Sequence, residues 1–310
     1  MNRHVAIVGA GFIGRAWAIV FARAGFSVAV YDAVDTALAQ CQRLLLENIS
    51  DLAEHGLIAE APASVLERIR TETTLPAALK GACLVQECAY ETLEIKRAVF
   101  AELDRYAAVD TILASSTSWL KASEFSEGLT GRARVLVAHP VNPPYLIPLV
   151  ELAPAPWTDA AVLDSAKAIY QEAGQVPVVL HKEITGFLLN RIQAAVLNEA
   201  LNLYADGFAS MEDLDLVLKN GLGMRWSFMG PFETIDLNAP QGLMDYAERY
   251  GPTFHEVAAE QATNPWDRGT MAQLHAQRRE VLPAQDMQAR ARWRDRRLMA
   301  LIAHQRSQPR

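Results

Sequence analysis

A chain of 310 residues is longer than one hydrophobic core usually supports, so two domains are the first expectation. Apolar residues make up 51% and charged residues 21%, an ordinary globular balance, and a net charge of −7 excludes the electrostatic footprint of a nucleic-acid or anionic-membrane binder. Cys41, Cys83 and Cys88 form no Cys-x-x-Cys pair, which argues against a zinc site or a disulfide framework and for a reducing, cytoplasmic setting.

The N-terminal Asn2-Arg3-His4, followed by apolar residues to Ile13, superficially resembles a signal peptide, but three glycines and Arg15 interrupt it. Val5–Val8 reads instead as a short strand, followed at once by Gly9-Ala10-Gly11-Phe12-Ile13-Gly14 and a helical pattern to Ala24. Gly25 stops that helix, Ser27–Tyr31 makes the next strand, and Asp32 stands at its end. Strand, glycines, helix, strand and terminal acid in this order are the full context of a dinucleotide site. Gly9, Gly11, Phe12, Ile13 and Gly14 would line the pyrophosphate turn, with the helix N-terminus supplying N–H donors. Asp32 would hold the adenosine ribose hydroxyls. Ala33 and Val34 offer no cation for a 2′-phosphate, so NAD is expected rather than NADP.

From Ala33 to Leu79 the periodicity is helical, with a second helix expected around Val65–Ile69 and a helical hairpin projecting from the domain. The segment carries seven acids against Arg43, Arg68 and Arg70, which disfavours a nucleotide-bearing acyl carrier. Further strands are expected at Cys83–Glu87, Thr111–Ser115 and Val135–Ala138, alternating with helices. That alternation predicts a doubly wound α/β sheet, whose ligands bind beyond the carboxyl ends of the strands. Glu91, Lys96, Ser118 and His139 all fall just after such ends, although Glu91 and Lys96 also suit a solvated helix start and the 115–118 hydroxyls a helix cap.

His139 ends an apolar run, and Pro140 is expected to stop its ladder. Four prolines between Pro140 and Pro148 stiffen the return before Leu149-Val150 delivers Glu151. A histidine and a carboxylate on adjoining rigid segments suit a base and its orienting partner; the bland alternative is a capped strand and a surface acid. Strands at Leu149–Leu152 and Val176–Leu180 bracket a helix that Thr158 is expected to cap. Beyond them only helices are expected: Phe187–Tyr204, then Met211–Lys219 capped by Ser210, and a basic terminal segment Arg290–Arg306 suited to exposure or subunit packing. The division thus falls into 1–184, a dinucleotide-binding domain, and 185–310, an all-helical substrate and dimerisation domain.

Together Gly9–Gly14, Gln86-Glu87-Cys88, Ser116-Thr117-Ser118, Ala138–Tyr145, Pro148–Glu151 and Gly186–Arg191 resemble the 3-hydroxyacyl-CoA dehydrogenase family over essentially the whole chain. Gly221–Pro231, with Arg225-Trp226, resembles the lambda-crystallin branch and carnitine dehydrogenases; the acyl-CoA enzymes carry a shorter, proline-containing glycine loop there. The resemblance implies that His139 is the acid–base residue and Glu151 its partner, with Ser118 and Asn190 on the reacting oxygen. It places Glu91 and Lys96 near the nicotinamide ribose and implies a homodimer. Ser116 departs from the asparagine of many acyl-CoA enzymes, which puts detailed cofactor contacts at this loop in question. The expected activity is NAD-dependent oxidation of a small free 3-hydroxy acid of the L-gulonate type without a metal, with Arg225 on the substrate carboxylate. The rivals are a hydroxyacyl-CoA dehydrogenase, a carnitine-type dehydrogenase and a crystallin-like structural protein that binds NAD.

Overall fold

Among the residues described by the computed structural model, 4–261 and 266–308, eight strands form one sheet. In chain order the elements are β1 (His4–Val8), α1 (Phe12–Arg23), β2 (Ser27–Tyr31), α2 (Asp35–Glu54), α3 (Pro62–Leu66), β3 (Ile69–Glu72), α4 (Leu75–Leu79) and β4 (Leu84–Glu87). Then come α5 (Leu93–Tyr106), β5 (Ile112–Ser115), α6 (Ala122–Ser126), β6 (Val135–Pro140), β7 (Leu149–Pro154), α7 (Ala160–Glu172) and β8 (Val176–Val179). Seven helices follow: α8 (Leu189–Ala205), α9 (Met211–Val217), α10 (Gly223–Trp226), α11 (Pro231–Asp236), α12 (Leu243–Glu260), α13 (Arg268–Val281) and α14 (Met287–Ser307).

The sheet order is β3-β2-β1-β4-β5-β6-β7-β8, parallel except for β6 against β7. Neighbours leave β1 in opposite directions, β2 on one side and β4 on the other, so a crevice opens at its carboxyl end. Alternation along β1 sends Val5 and Ile7 into one apolar layer and Ala6 and Val8 into the other, so both faces are covered. Trp17, Phe21 and Tyr170 pack their rings in the first layer, Trp17 lying 5.6 Å from Phe21 and 5.4 Å from Tyr170.

The chain divides into two compact units, one comprising Met1–Leu189 with Ala289–Arg310 and the other Asn190–Gln288. The break falls five residues beyond Ile184, and the terminal segment belongs with the sheet rather than with the helical unit. Met299 of α14 joins the first unit's core, and Arg306 donates to the Leu57 carbonyl at 3.4 Å.

Several local expectations need correction. Val65 and Ile69 share a helical spacing, yet α3 ends at Leu66 and Ile69–Glu72 is an edge strand pairing with β2. Only Ile69 is buried there, and the Arg70–Glu72 ion pair at 2.7 Å gives this edge a charged rim. The 33–79 segment does not project as a hairpin, because Cys41, Leu45, Ile49 and Leu52 of α2 are buried in the core. Pro140 remains in the ladder opposite Val150; as the last residue of β6 it needs to donate no further bond. Thr158 does not cap α7, since its Oγ1 donates to the Val135 carbonyl at 2.6 Å and accepts from Ala155 N at 2.8 Å. Ser210 does cap α9, accepting from Asp213 N at 3.1 Å. The glycine-bracketed stretch around Arg225 is helical rather than a loop, a π-helical turn at Leu218–Leu222 running into α10.

Candidate active site

A cavity of about 850 Å³ opens at the carboxyl end of β1, lined by Gly9, Gly11, Asp32, Thr74, Cys88 and Tyr90 among others. Gly9 has φ +110°, and a Cβ there would stand 2.6 Å from the Cys88 carbonyl oxygen. A Cβ on Gly11 would meet nothing within 4 Å, so the backbone beside the α1 N-terminus faces open space. Phe12 and Ile13 begin α1, Phe12 exposed and Ile13 half-buried, while Gly14 packs against the Gly9 carbonyl. Asp32 is held by two backbone donors, Ala10 N at 2.6 Å and Val34 N at 2.8 Å, which fix a carboxylate on the cavity wall. Ala33 and Val34 beside it are exposed and uncharged. The open Gly11 cradle and the fixed acid suit a dinucleotide with free ribose hydroxyls.

The end of β4 carries two consecutive buried polar side chains that composition and spacing did not reveal. Glu87 takes the Lys96 ammonium at 2.8 and 2.9 Å, the Ser115 hydroxyl at 2.6 Å and Ala89 N at 2.6 Å. Lys96 also donates to the Ala89 carbonyl at 3.1 Å, so all three of its protons are used and its side chain is 1% exposed. Lys96 therefore locks the turn after β4. Glu91, exposed at the surface, takes the Thr117 hydroxyl in a short hydrogen bond and Ser118 N at 3.1 Å. It thereby clamps the loop that carries half-buried Ser118.

His139 and Glu151 face one another across the antiparallel β6–β7 pair, where they are register partners. Their side chains meet at 2.8 Å between Nδ1 and Oε2, with His139 5% and Glu151 1% exposed. The other oxygen, Oε1, accepts from Leu188 N at 2.7 Å and Leu189 N at 2.9 Å. Burial pushes the Glu151 carboxyl upward, but the bonds from His139, Leu189 and Leu188 outweigh it and hold it below the usual range. An ionised Glu151 only accepts, so Nδ1 of His139 carries a proton in this pair, and in the neutral imidazole the lone pair is on Nε2.

The two leucine amides reach Glu151 because the chain turns sharply before α8. Gly186 has φ +77° and Phe187 φ +49°, an unusual value for a bulky residue. Phe187 is fully buried, its ring 5.3 Å from the imidazole, a wall the sequence reading had not singled out. A left-handed phenylalanine costs about 1–3 kcal/mol and persists where packing over-determines it. Asn190, next after Leu189, is the first residue of the second unit. Arg225 is exposed on α10 of that unit, its guanidinium making no ion pair or hydrogen bond among the described residues. Among those residues no group of three or more His, Cys, Asp or Glu side chains is arranged to hold a metal, and no helix is long and apolar enough to cross a membrane.

Comparison with known proteins bears on the chemistry such a site supports. Residues 4–184 match the profile of the 3-hydroxyacyl-CoA dehydrogenase NAD binding domain, and residues 186–278 that of the same family's C-terminal domain. A lambda-crystallin homolog of Bos taurus is 42% identical over 311 residues, covering 97% of this chain and 96% of the relative. An L-carnitine dehydrogenase of Streptomyces griseus is 36% identical, covering 86% and 76% of the two chains. Among solved structures, (S)-3-hydroxybutyryl-CoA dehydrogenase from Ralstonia eutropha superposes with a TM-score of 0.68 at 28% identity, covering 81% of this chain and 88% of its own.

Proposed function

Because this chain belongs to the 3-hydroxyacyl-CoA dehydrogenase family of NAD-dependent oxidoreductases, we propose that it oxidises the 3-hydroxyl of a small free hydroxy acid of the L-gulonate type. The observation that carries the chemistry is the buried His139–Glu151 pair, whose geometry leaves one imidazole nitrogen available as a base. Gly9, Gly11, Gly14 and Asp32 would hold NAD, which would supply the hydride acceptor for oxidation at C3. His139 takes the hydroxyl proton at Nε2, and the imidazolium so formed is stabilised by Glu151. Leu188 N and Leu189 N keep that carboxylate ionised and aimed. Ser118 and Asn190 are each proposed to hydrogen-bond the reacting oxygen, a contribution of position rather than of charge. In the reductive direction the same imidazolium returns its proton to a ketone oxygen.

A free acid is favoured over a thioester by two features. Arg225 offers an unpaired planar fork for a carboxylate, and a thioester has no charge for it to meet. The segment 33–79, with seven acids to three arginines, disfavours a polyphosphate carrier. Relatives named for L-carnitine, itself a free 3-hydroxy acid, agree with this choice.

The proposed assembly is a homodimer in a reducing cytoplasm. Phe208, Phe228, Phe232 and Met244 of the second unit are exposed, apolar side chains of the kind a second copy of the chain would cover, and all three cysteines are free thiols. Light scattering on the purified protein tests the dimer. The substrate is tested by NADH absorbance with L-gulonate, 3-hydroxybutyrate, L-carnitine and 3-hydroxybutyryl-CoA. Turnover of a free acid with little on the thioester is the expected result. Preference for the thioester would return the protein to the acyl-CoA branch, and no turnover with any of them would favour a structural role.

A further inference from the structure

Beside the ionic cluster of Glu87, a second buried polar network lies on the opposite face of the sheet. Gln86, adjacent to Glu87 and fully buried, points into the layer of α1 and α7. Tyr170 of α7 donates its hydroxyl to Gln86 Oε1 in a short hydrogen bond. Gln86 Nε2 donates to Ser116 Oγ at 2.7 Å and reaches the Ala138 carbonyl at 3.5 Å. Trp17 of α1 donates its indole N–H to the same Ser116 Oγ at 3.2 Å. Cys88 Sγ lies 3.1 Å from that oxygen and 3.8 Å from the Gln86 carbonyl.

The Ala138 carbonyl, which can only accept, sets the direction of these bonds by taking Gln86 Nε2 rather than Oε1. An indole N–H cannot accept, so Ser116 Oγ receives Trp17 and Gln86 on its two lone pairs and its own proton goes to Cys88. With Nε2 committed to Ser116, the Gln86 amide must turn Oε1 to the Tyr170 hydroxyl. The thiol proton remains for the Gln86 carbonyl. Each group is satisfied in a single arrangement, which makes such a network rigid. It also stays neutral at working pH: burial pushes the Cys88 thiol up to about 12 and the Tyr170 phenol well above its ordinary value.

The network touches the two pieces of chain that carry the proposed chemistry. Ser116 is two residues before Ser118, and Ala138 immediately precedes His139. Trp17 adds α1, whose N-terminus faces the dinucleotide cavity. A purely apolar filling would pack these layers with no polar groups to satisfy, so buried polar groups here ask for a reason. We propose that Gln86, Ser116 and Tyr170 are positioning residues, which fix the 116–118 loop against the ends of β4 and β6 and thereby set the Ser118 hydroxyl relative to His139. This rests on the reading of Ser118 and His139 given above.

The test is a double-mutant cycle in the full-length protein: Ser116→Ala, Ser118→Ala and both together. It measures kcat and KM on the best free acid of the substrate panel, and the NADH dissociation constant by fluorescence. Since small misplacements can cost up to ~10²-fold, Ser116→Ala is expected to lower kcat roughly tenfold, with NADH affinity and KM within about twofold. In the Ser118→Ala background the same change is expected to alter kcat by less than about twofold, because its route of action has been removed. Tyr170→Phe, which leaves the ring packing in place, is expected to give a smaller loss with the same coupling, and it serves if Ser116→Ala does not fold. Equal losses in both backgrounds, or an effect confined to melting temperature or NADH affinity, would overturn the proposal while leaving Ser118 in its role. A Ser118→Ala variant with undiminished kcat would instead overturn the reading of Ser118, and this proposal with it.

Discussion

The two units of the chain bury their side chains to very different extents. In the first, both faces of the sheet are covered, and even Gln86, Glu87, Lys96, His139 and Glu151 are buried with partners. In the second, Leu201, Thr234 and Ala239 are the buried side chains among the described residues, while Phe208 is 75%, Phe228 72% and Phe232 77% exposed. A polar group can be aimed to a few tenths of an ångström only where its surroundings are over-determined. The proposed proton chemistry lies in the first unit, where that condition is met. The second unit carries the residues proposed for substrate recognition and association, on a more exposed surface. Substitutions in the two units should fail in different ways.

The largest effect belongs to the first unit. His139→Ala and Glu151→Gln are expected to lower kcat by ~10²–10⁴-fold, the range of a general base, with NADH binding almost intact because neither residue lines the dinucleotide cavity. NADH fluorescence titration alongside initial rates checks both parts. Retention of more than about a tenth of the rate by either variant would make the pair structural.

Arg225→Met carries the comparison into the second unit. A hydrogen bond to a charged group is worth about 1.5–3 kcal/mol, and each 1.4 kcal/mol is about tenfold, so kcat/KM on the free acid should fall roughly ten- to a hundredfold. The uncharged methyl ester should be spared. Equal losses on acid and ester, with dimerisation lost in light scattering, would leave Arg225 an interface residue and reopen the thioester alternative.

Asp32→Ala is a smaller change in the first unit, at the cavity wall rather than the base. Both oxygens of Asp32 already accept backbone N–H groups, so a ribose must share them. The wild type should strongly prefer NAD over NADP, and the variant should narrow that preference by roughly tenfold through a weakened KM for NAD. Equal efficiency of the wild type with the two cofactors would remove Asp32 from the assignment.

The legibility of the sequence follows the same division. The β1–α1–β2 unit was readable because each of its parts is local: a β-branched run, glycines a backbone turn requires, and an acid at a strand end. His139 and Glu151 were readable as types on adjoining segments, and the antiparallel register then makes them partners. β3 was not readable, since an edge strand with one buried residue has no alternation to detect. Lys96 does lie at the helix start that spacing suggests, but buried rather than solvated, because only the tertiary fold brings it against Glu87. The return of α14 to the first unit is likewise non-local; its arginines obscure the single fully buried side chain, Met299, that anchors it.

The smallest expected effect concerns stability and tests how firmly the first unit holds its acid. Glu151 titrates below the ordinary range in the folded protein because the bonds from His139, Leu189 and Leu188 favour the carboxylate by more than burial disfavours it. In the unfolded chain a glutamate titrates at about 4.3. The native state therefore binds the proton more weakly than the unfolded state, so this stabilisation is complete above that value and is lost as pH falls through the folded one. A glutamine at the same position has no proton to release and no such dependence. Urea midpoints for the wild type and Glu151→Gln should thus differ most near about pH 7 and converge as pH falls through the folded value. A gap that stayed constant, or widened in acid, would mean that the leucine amides and His139 do not favour the carboxylate. Nδ1 of His139 would then lose the fixed acceptor on which its tautomer depends.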